Sequence, residues 1–308
     1  MKVKTFCCGG FGLNMAVGIV AALPNSDLVL FDTTEKNMQP SLKDKPFVRV
    51  GKESLDGGGK IRSVVAEVAK TESKTWLLSH QPADVNIVVT SLSGGSGSTI
   101  SVLLLEQLLE NKRAAVLVAV WDQTNLQSIS NQKKVIESLN YLSKKYGKCL
   151  TIFISNKTTA REQDKEVVCV LSSLTVLTEQ STEFDSADFS SAFNPSSNLI
   201  SGFTPQLLVG TLDETDKQNV ILVTEVTCHS NRVVKAVKKM PLYSSFALLS
   251  EASEKPNEES APIVFKTYAG LAGIMVKETE DLIAETNNML TISAVDTTAV
   301  PDVDCLDF

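Results

Sequence analysis

The chain has little of what several protein classes require. Of its 308 residues only His80 and His229 are histidine, and they do not stand at metal-ligand spacing. Its six cysteines include no Cys-x-x-Cys pair. A zinc site or a disulfide framework is therefore not expected. Cys7, Cys8, Cys149, Cys169 and Cys228 lie in apolar runs and read as reduced core residues. There is no cationic excess: 29 Lys and Arg stand against 36 Asp and Glu, a net charge of −7. Direct nucleic-acid binding needs a basic surface to neutralise phosphates, so it is not expected. Long apolar runs are missing too. The stretches 102–105 and 114–121 fall far short of the roughly 20 residues that a bilayer-crossing helix needs. In the N-terminal MKVKTFCCGG the apolar stretch is too short, and too broken by glycine, for a signal peptide. A cytosolic protein without membrane contact is expected. No internal repeat is visible. The P-loop pattern GxxxxGK[ST] is also absent, because Gly59-Lys60 is followed by Ile61.

What the chain does have is a hydrophobic content of 43%, enough for a sizeable core. In its first half apolar strand-like runs alternate with helical patterns. Strands are expected at Val3–Cys8, Leu28–Phe31, Phe47–Val50, Val85–Leu92, Ala114–Val120 and Cys149–Ser155. Helices are expected at Asn14–Leu23, Lys60–Lys70, Ser98–Leu109 and Leu126–Tyr146. Continuous apolar strands alternating with helices imply an α/β fold with a parallel sheet covered on both faces. Residues 161–180 give a long helix, apolar around much of its middle, so it should be buried. The second half reads as a smaller α/β layer. It has a loop at 190–205, strands at Leu207–Thr211, Val220–Thr227, Phe246–Leu249 and Ile263–Tyr268, and a basic helix at Asn231–Lys239. A last helix at Met275–Leu290 precedes an acidic stretch with Asp296, Asp302, Asp304 and Asp307. The expected units are 1–160, a central helix at 161–182, a second unit at 183–272, and a helix with acidic tail at 273–308.

Three glycine turns each precede a helix: Gly9–Gly12, Gly57–Gly59 and Gly94–Ser98. The last lies between a buried strand and an apolar helix, where a flexible linker would be out of place. Unpaired N–H groups at such a helix start favour a phosphate, and glycine lets the backbone approach it. Turns that follow strands of one parallel sheet open on its C-terminal edge, where ligands bind in such folds. Two nucleotide folds compete. Gly10-x-Gly12-x-x-Met15, with Asp32 twenty residues beyond Gly12, is close to the dinucleotide fingerprint and would suit an NAD-dependent oxidoreductase. Met15 in place of the third glycine weakens that reading, which also leaves the stronger 94–98 loop unused.

Ser93-Gly94-Gly95-Ser96-Gly97-Ser98 resembles the GGGTGTG/GGTGSG signature of the tubulin/FtsZ superfamily, with Ser96 at the usual threonine. Gly9-Gly10-Phe11-Gly12-Leu13-Asn14 through Val17 is similar to the GGxGxNAV loop of FtsZ, with Asn14 at the nucleotide-contacting asparagine. Gly57, Gly58 and Gly59, with Lys60 beside them, fall where that family has a loop sensing the γ-phosphate. Ser155-Asn156 resembles the end of the strand whose asparagine reads guanine. Gln163, counted back from Asp185, falls at the helix-side base contact. After the long helix, residues 183–189 resemble the NxDxAD(V/I) loop, keeping Asp185 and Asp188. In the family this loop enters the next subunit's site, and its two acids orient and polarise water for attack on the γ-phosphate. Without that context, Asp-x-x-Asp is also an ordinary helix cap. One departure stands out: residues 121–134 carry neither the Glu nor the Arg that bind the sugar in FtsZ.

The length, the final helix and the acidic tail most resemble the tubulins encoded by large bacteriophages. The resemblance implies a GTP/GDP site with Mg2+ accompanying the nucleotide, no resident metal, and GTP hydrolysis completed between subunits. It implies self-assembly head to tail into filaments that position phage DNA or capsids in the host cytoplasm. It also places the acidic tail on a neighbouring subunit, against a basic patch such as Arg232, Lys235, Lys238 and Lys239; a solvated tail is the alternative. A structural homologue that binds without hydrolysing is a third reading.

Overall fold

The computed structural model describes residues 1–122, 125–155, 157, 159–180, 185–196, 204–212, 215–228, 237–239 and 263–296. The runs of β-branched residues form strands β1 (Val3–Cys8), β2 (Asp27–Asp32), β3 (Phe47–Arg49), β4 (Val85–Ser91), β5 (Ala114–Val120) and β6 (Leu150–Ser155). Between and after them lie helices α1 (Gly9–Ala22), α2 (Arg62–Ser79), α3 (Ser96–Glu110), α4 (Leu126–Tyr146) and α5 (Ala160–Gln180). The chain continues through α6 (Ser186–Phe193), β7 (Leu207–Thr211), β8 (Ile221–Cys228), β9 (Val237–Lys239), β10 (Ile263–Ala269) and α7 (Leu271–Asp296).

Among the described residues ten strands join one sheet in the order β3-β2-β1-β4-β5-β6-β7-β10-β8-β9. From β3 to β7 every pairing is parallel. From β7 through β10 and β8 to β9 the pairings turn antiparallel. The strands of the expected smaller layer thus extend the edge of the first sheet. The side chains of each strand alternate between two cores, as the period of two demands. In β5, Val116, Val118 and Val120 enter one core with α1, α5 and α6. Ala115, Leu117 and Ala119 enter the other with α2, α3, α4 and α7. Phe189 and Phe193, one turn apart on α6, stack at 4.6 Å between centroids, and Phe193 meets Phe153 of β6 at 6.0 Å. Fully burying one such ring contributes about 1.5–3 kcal/mol, which pins the short α6 to the sheet.

Several bounds differ from the sequence reading. α1 starts at Gly9 rather than Asn14, so the first glycines lie inside its opening turn. The expected loop at 190–205 begins as the last half of α6. The expected basic helix ends in β9, at Val237–Lys239; its remainder, the Phe246–Leu249 strand and the tail beyond Asp296 lie outside the described residues. Cys7, Cys8 and Cys149 are buried free thiols, and Cys169 is half-buried. Burial pushes Cys7 up to about 12 and Cys149 to about 11, so both stay protonated at neutral pH. Among the described residues no helix is long and apolar enough to cross a membrane.

Candidate functional site

The glycine turns meet at the C-terminal edge of the sheet, backbone against backbone. Gly9 has φ +71°, and a Cβ on it would stand 2.7 Å from the N and Cα of Gly97. A Cβ on Gly97 would stand 2.6 Å from Cys8 O and 2.8 Å from Thr90 Oγ1. A Cβ on Gly12 would stand 2.7 Å from the Cys7 carbonyl carbon. The third turn closes on the second: Gly58 lies with its Cβ direction 3.0 Å from Ser96 N, and Gly95 with its own 3.0 Å from Ile61 N. Side chains at these positions would drive the three turns apart. Gly57, Gly59 and Lys60 all hold positive φ, at 93°, 53° and 61°, so the 57–60 turn is tight and left-handed.

Three helices start from these turns. None of α1, α2 and α3 has a side-chain cap, and none has an acid in its first turn. By contrast α4 is capped by Asn125, whose Oδ1 accepts from Ser128 N at 2.9 Å. Uncapped N–H groups and the positive ends of three helix dipoles therefore converge, with no carboxylate in any of the three first turns. That donor set, and a cradle that side chains would fill, fit a phosphate chain.

Hydroxyls brace the 94–98 loop from within. Ser98 Oγ donates to Gly94 O, and Thr99 Oγ1 donates to Gly95 O at 2.8 Å. Ser96 Oγ is hydrogen-bonded to Thr33 Oγ1 at 2.8 Å, tying the loop to the end of β2. Asn131 of α4 joins two turns: its Nδ2 donates to Lys60 O at 2.8 Å and to Ser93 O at 2.9 Å. Lys60 Nζ reaches Ser128 Oγ on the same helix at 3.2 Å. Thr33, Ser128 and Asn131 do not stand out in the sequence reading. Their signal is faint: Ser128 and Asn131 are polar residues three apart on the inward face of an amphipathic helix, and both are buried.

The remaining expected site residues fall in different places. Asn14 is exposed on α1, Phe11 is half-buried against the core, and Gly10 packs against Asn37. Gln163 uses both amide hydrogens on the backbone, donating to Trp121 O at 3.1 Å and Lys157 O at 2.8 Å. Asn156 and residues 123–124 of the sugar-side loop lie outside the described residues. Asp32 bears on the dinucleotide alternative. Strand order 3-2-1-4-5-6 is common to dinucleotide folds, so topology does not separate the two readings. Asp32, however, is 2% exposed. Its carboxylate already accepts from Thr33 N at 2.8 Å and Asn37 Nδ2 at 3.0 Å. Burial raises its pKa, against those hydrogen bonds. It is not available to a ribose, which removes the residue the oxidoreductase reading needs.

Asp185 and Asp188 sit elsewhere. Asp185 Oδ1 accepts from Ala187 N at 2.8 Å and Asp188 N at 2.9 Å, while Asp188 Oδ2 accepts from Asp185 N at 3.2 Å. This is a reciprocal capping box at the start of α6. The far end of α6 is anchored at the opposite, N-terminal edge of the sheet. Asn194 Oδ1 accepts from Ala115 N at 2.8 Å, and its Nδ2 donates to Ala115 O at 2.7 Å. The 21 residues of α5 separate the acids from the glycine edge, about 30 Å at 1.5 Å per residue.

No protein-family model matches the sequence. Two curated relatives are phage tubulin-like proteins. That of Pseudomonas phage PhiPA3 is 28% identical over 184 residues, 58% of this chain and 56% of the relative. That of Pseudomonas phage phiKZ is 27% identical over 158 residues, 47% of each. The matches thus span about half the length of these relatives. Among solved structures, the phage tubulin PhuZ with GDP superposes with TM-score 0.76 at 16% identity, covering 100% of this chain and 96% of that one. A TubZ protofilament of bacteriophage PhiKZ agrees equally, with TM-score 0.76 at 17% identity and the same coverage. The fold is that of these phage tubulins. TubZ of Clostridium botulinum phage c-st is more distant, at TM-score 0.63 and 14% identity. In this fold the three glycine turns occupy one edge of the sheet and the acid pair the other.

Proposed function

We propose that the protein binds and hydrolyses GTP and assembles head to tail, each copy's acids completing the next copy's site. One observation carries this reading. The glycine cradle and the acid pair lie on opposite edges of one sheet, with the length of α5 between them. No movement of side chains within one copy brings them together. A second copy stacked in the same orientation does. That contact is heterologous and does not close on itself, so it builds a filament. The likeness to phage tubulin-like proteins, and to structures described as a GDP complex and a protofilament, supports it.

The chain's own residues would divide the work. The N–H groups of Gly9–Gly12 and Gly94–Ser98 hold the phosphates, and the 57–60 turn meets the last of them. Mg2+, carried in with the phosphates, would offset their charge. In the acid pair, one oxygen of each carboxylate is used by the capping box. Asp185 Oδ2 and Asp188 Oδ1 take no part in it and would orient a water and accept its proton as that water attacks. The capping box fixes both carboxylates relative to α6, so they arrive at the neighbouring site preset. The cytoplasm of an infected bacterium is the setting that fits, with phage DNA or capsids as cargo.

Sedimentation tests the reading. The protein should pellet with GTP and with a non-hydrolysable analogue, and less with GDP. Protection by NAD but not by GTP would overturn it.

A further inference from the structure

Asn194 closes α6 at the end away from the acids. It is 2% exposed, and its amide is spent on the backbone of β5 and of the residue before β6. Oδ1 accepts from Ala115 N at 2.8 Å, while Nδ2 donates to Ala115 O at 2.7 Å and to Cys149 O at 3.3 Å. Pairing of β5 with β6 begins only at Val116 and Thr151. One residue earlier, Asn194 holds Ala115 by both its N–H and its C=O, as a neighbouring strand would. An amide offers acceptor and donor side by side, which a carboxylate does not. The residues on either side are fastened as well. Thr151 Oγ1 donates to Phe193 O, and Cys149 N donates to Pro195 O at 2.8 Å.

The acids sit at the other end of the same short helix. Asp185 caps its start, and the capping box ties both carboxylates to its first turn. From Asp185 to Asn194 the helix rises about 13 Å, at 1.5 Å per residue. A tilt of about 5° at Asn194 therefore moves the carboxylates by about 1 Å, a misplacement that can slow a reaction about 100-fold. Phe189 and Phe193 hold α6 against the sheet, but apolar burial is non-directional. Hydrogen bonds have direction, so those at Asn194 set the tilt. We propose that Asn194 is a positioning residue for hydrolysis: by fastening the C-terminal end of α6 to the starts of β5 and β6, it sets the angle at which Asp185 and Asp188 meet the next copy's nucleotide. This rests on the shared-site reading above.

Phosphate released per pelleted subunit, at a temperature below every melting midpoint, tests it on wild type, Asn194→Ala, Thr151→Val and Asn86→Ala. Asn86 is the matched control. It is fully buried on β4, and its Nδ2 donates to Ala83 O at 3.1 Å and to Ala114 O at 3.0 Å, not to α6. Asn194→Ala should slow turnover per pelleted subunit about 10–100-fold. Half-saturating GTP should stay within about twofold, since no bond of the glycine cradle changes. Thr151→Val keeps the side chain's shape, removes its bond to Phe193 O, and should fall between Asn194→Ala and wild type. Asn86→Ala should melt lower, as Asn194→Ala does, yet turn over within about twofold of wild type. Equal slowing in Asn194→Ala and Asn86→Ala would mean general loosening and would overturn the proposal. So would wild-type turnover in Asn194→Ala. Should Asn194→Ala fail to pellet, wild-type turnover in Thr151→Val overturns it alone. A wild type that releases phosphate equally well below its pelleting concentration would overturn the shared-site reading itself, and this proposal with it.

Discussion

Asp185→Asn separates two roles that one side chain can hold. As the cap of α6, Asp185 accepts hydrogen bonds from Ala187 N and Asp188 N through one oxygen. Asparagine caps a helix about as well as aspartate, so the change should alter stability by less than about 0.5 kcal/mol. For 308 residues, with an unfolding entropy of about 2.1 cal/mol/K per residue, that is a shift of less than about 1 °C. Asp185→Ala removes both bonds and should cost about 1 kcal/mol, in the range 0.5–2. As a catalytic acid, Asp185 would act through its other oxygen and its charge, and asparagine has no charge to give. Loss of a general base slows a reaction about 10²–10⁴-fold. The expected result is an asparagine variant that melts with wild type and pellets with GTP, yet releases phosphate at least about 100-fold more slowly. Thermal melts, sedimentation and phosphate release on one preparation give all three. If the asparagine variant hydrolyses within about threefold of wild type, Asp185 is a helix cap and the catalytic assignment is wrong.

Gly97→Ala should destabilise by about 1–3 kcal/mol, because the new methyl meets Cys8 O and Thr90 Oγ1; a melt checks this, and an unchanged midpoint would contradict the close contact. Asn131→Ala leaves Lys60 O and Ser93 O without their donor and should cost about 1–3 kcal/mol. Nucleotide titration should show weaker binding as the 57–60 turn loosens. Asp32 has a pKa raised by burial above its ordinary 3.8. Its contribution to stability is fully present below the unfolded pKa and is lost as pH rises through the folded value. Asp32→Asn removes that dependence, so the stability of the variant minus that of wild type should increase from pH 4 towards neutrality. A difference independent of pH across melts would refute the burial argument.

Much of the frame was legible because the strands are nearly unbroken β-branched runs, and such runs have few other stable fates. Val85–Leu92, expected as a strand, forms β4 within one residue. The three glycine turns were visible as composition, but their mutual contact was not, since β1, β3 and β4 come together only through sheet order. The helix at Gly9–Ala22 starts five residues before the expected Asn14, although glycine disfavours helix interiors; here the need for α1 to lie against Cys7 and Val89 overrides that preference. Helix α6 was hidden by its serines, although Phe189 and Phe193 at one-turn spacing and the Asp185 cap were its signals. Thr33 carries no local signature and Asn131 only a faint one, because their partners lie 63 and 71 residues away in the chain.

The central claim is that one copy's acids act on another copy's nucleotide. Phosphate released per subunit, measured across a dilution series of the wild-type protein with saturating GTP, tests it most directly. If the site is shared, the rate per subunit falls towards zero below the concentration at which the protein pellets, and rises above it. A rate per subunit that stays constant through that dilution would place all the catalytic groups in a single copy, contradicting the claim.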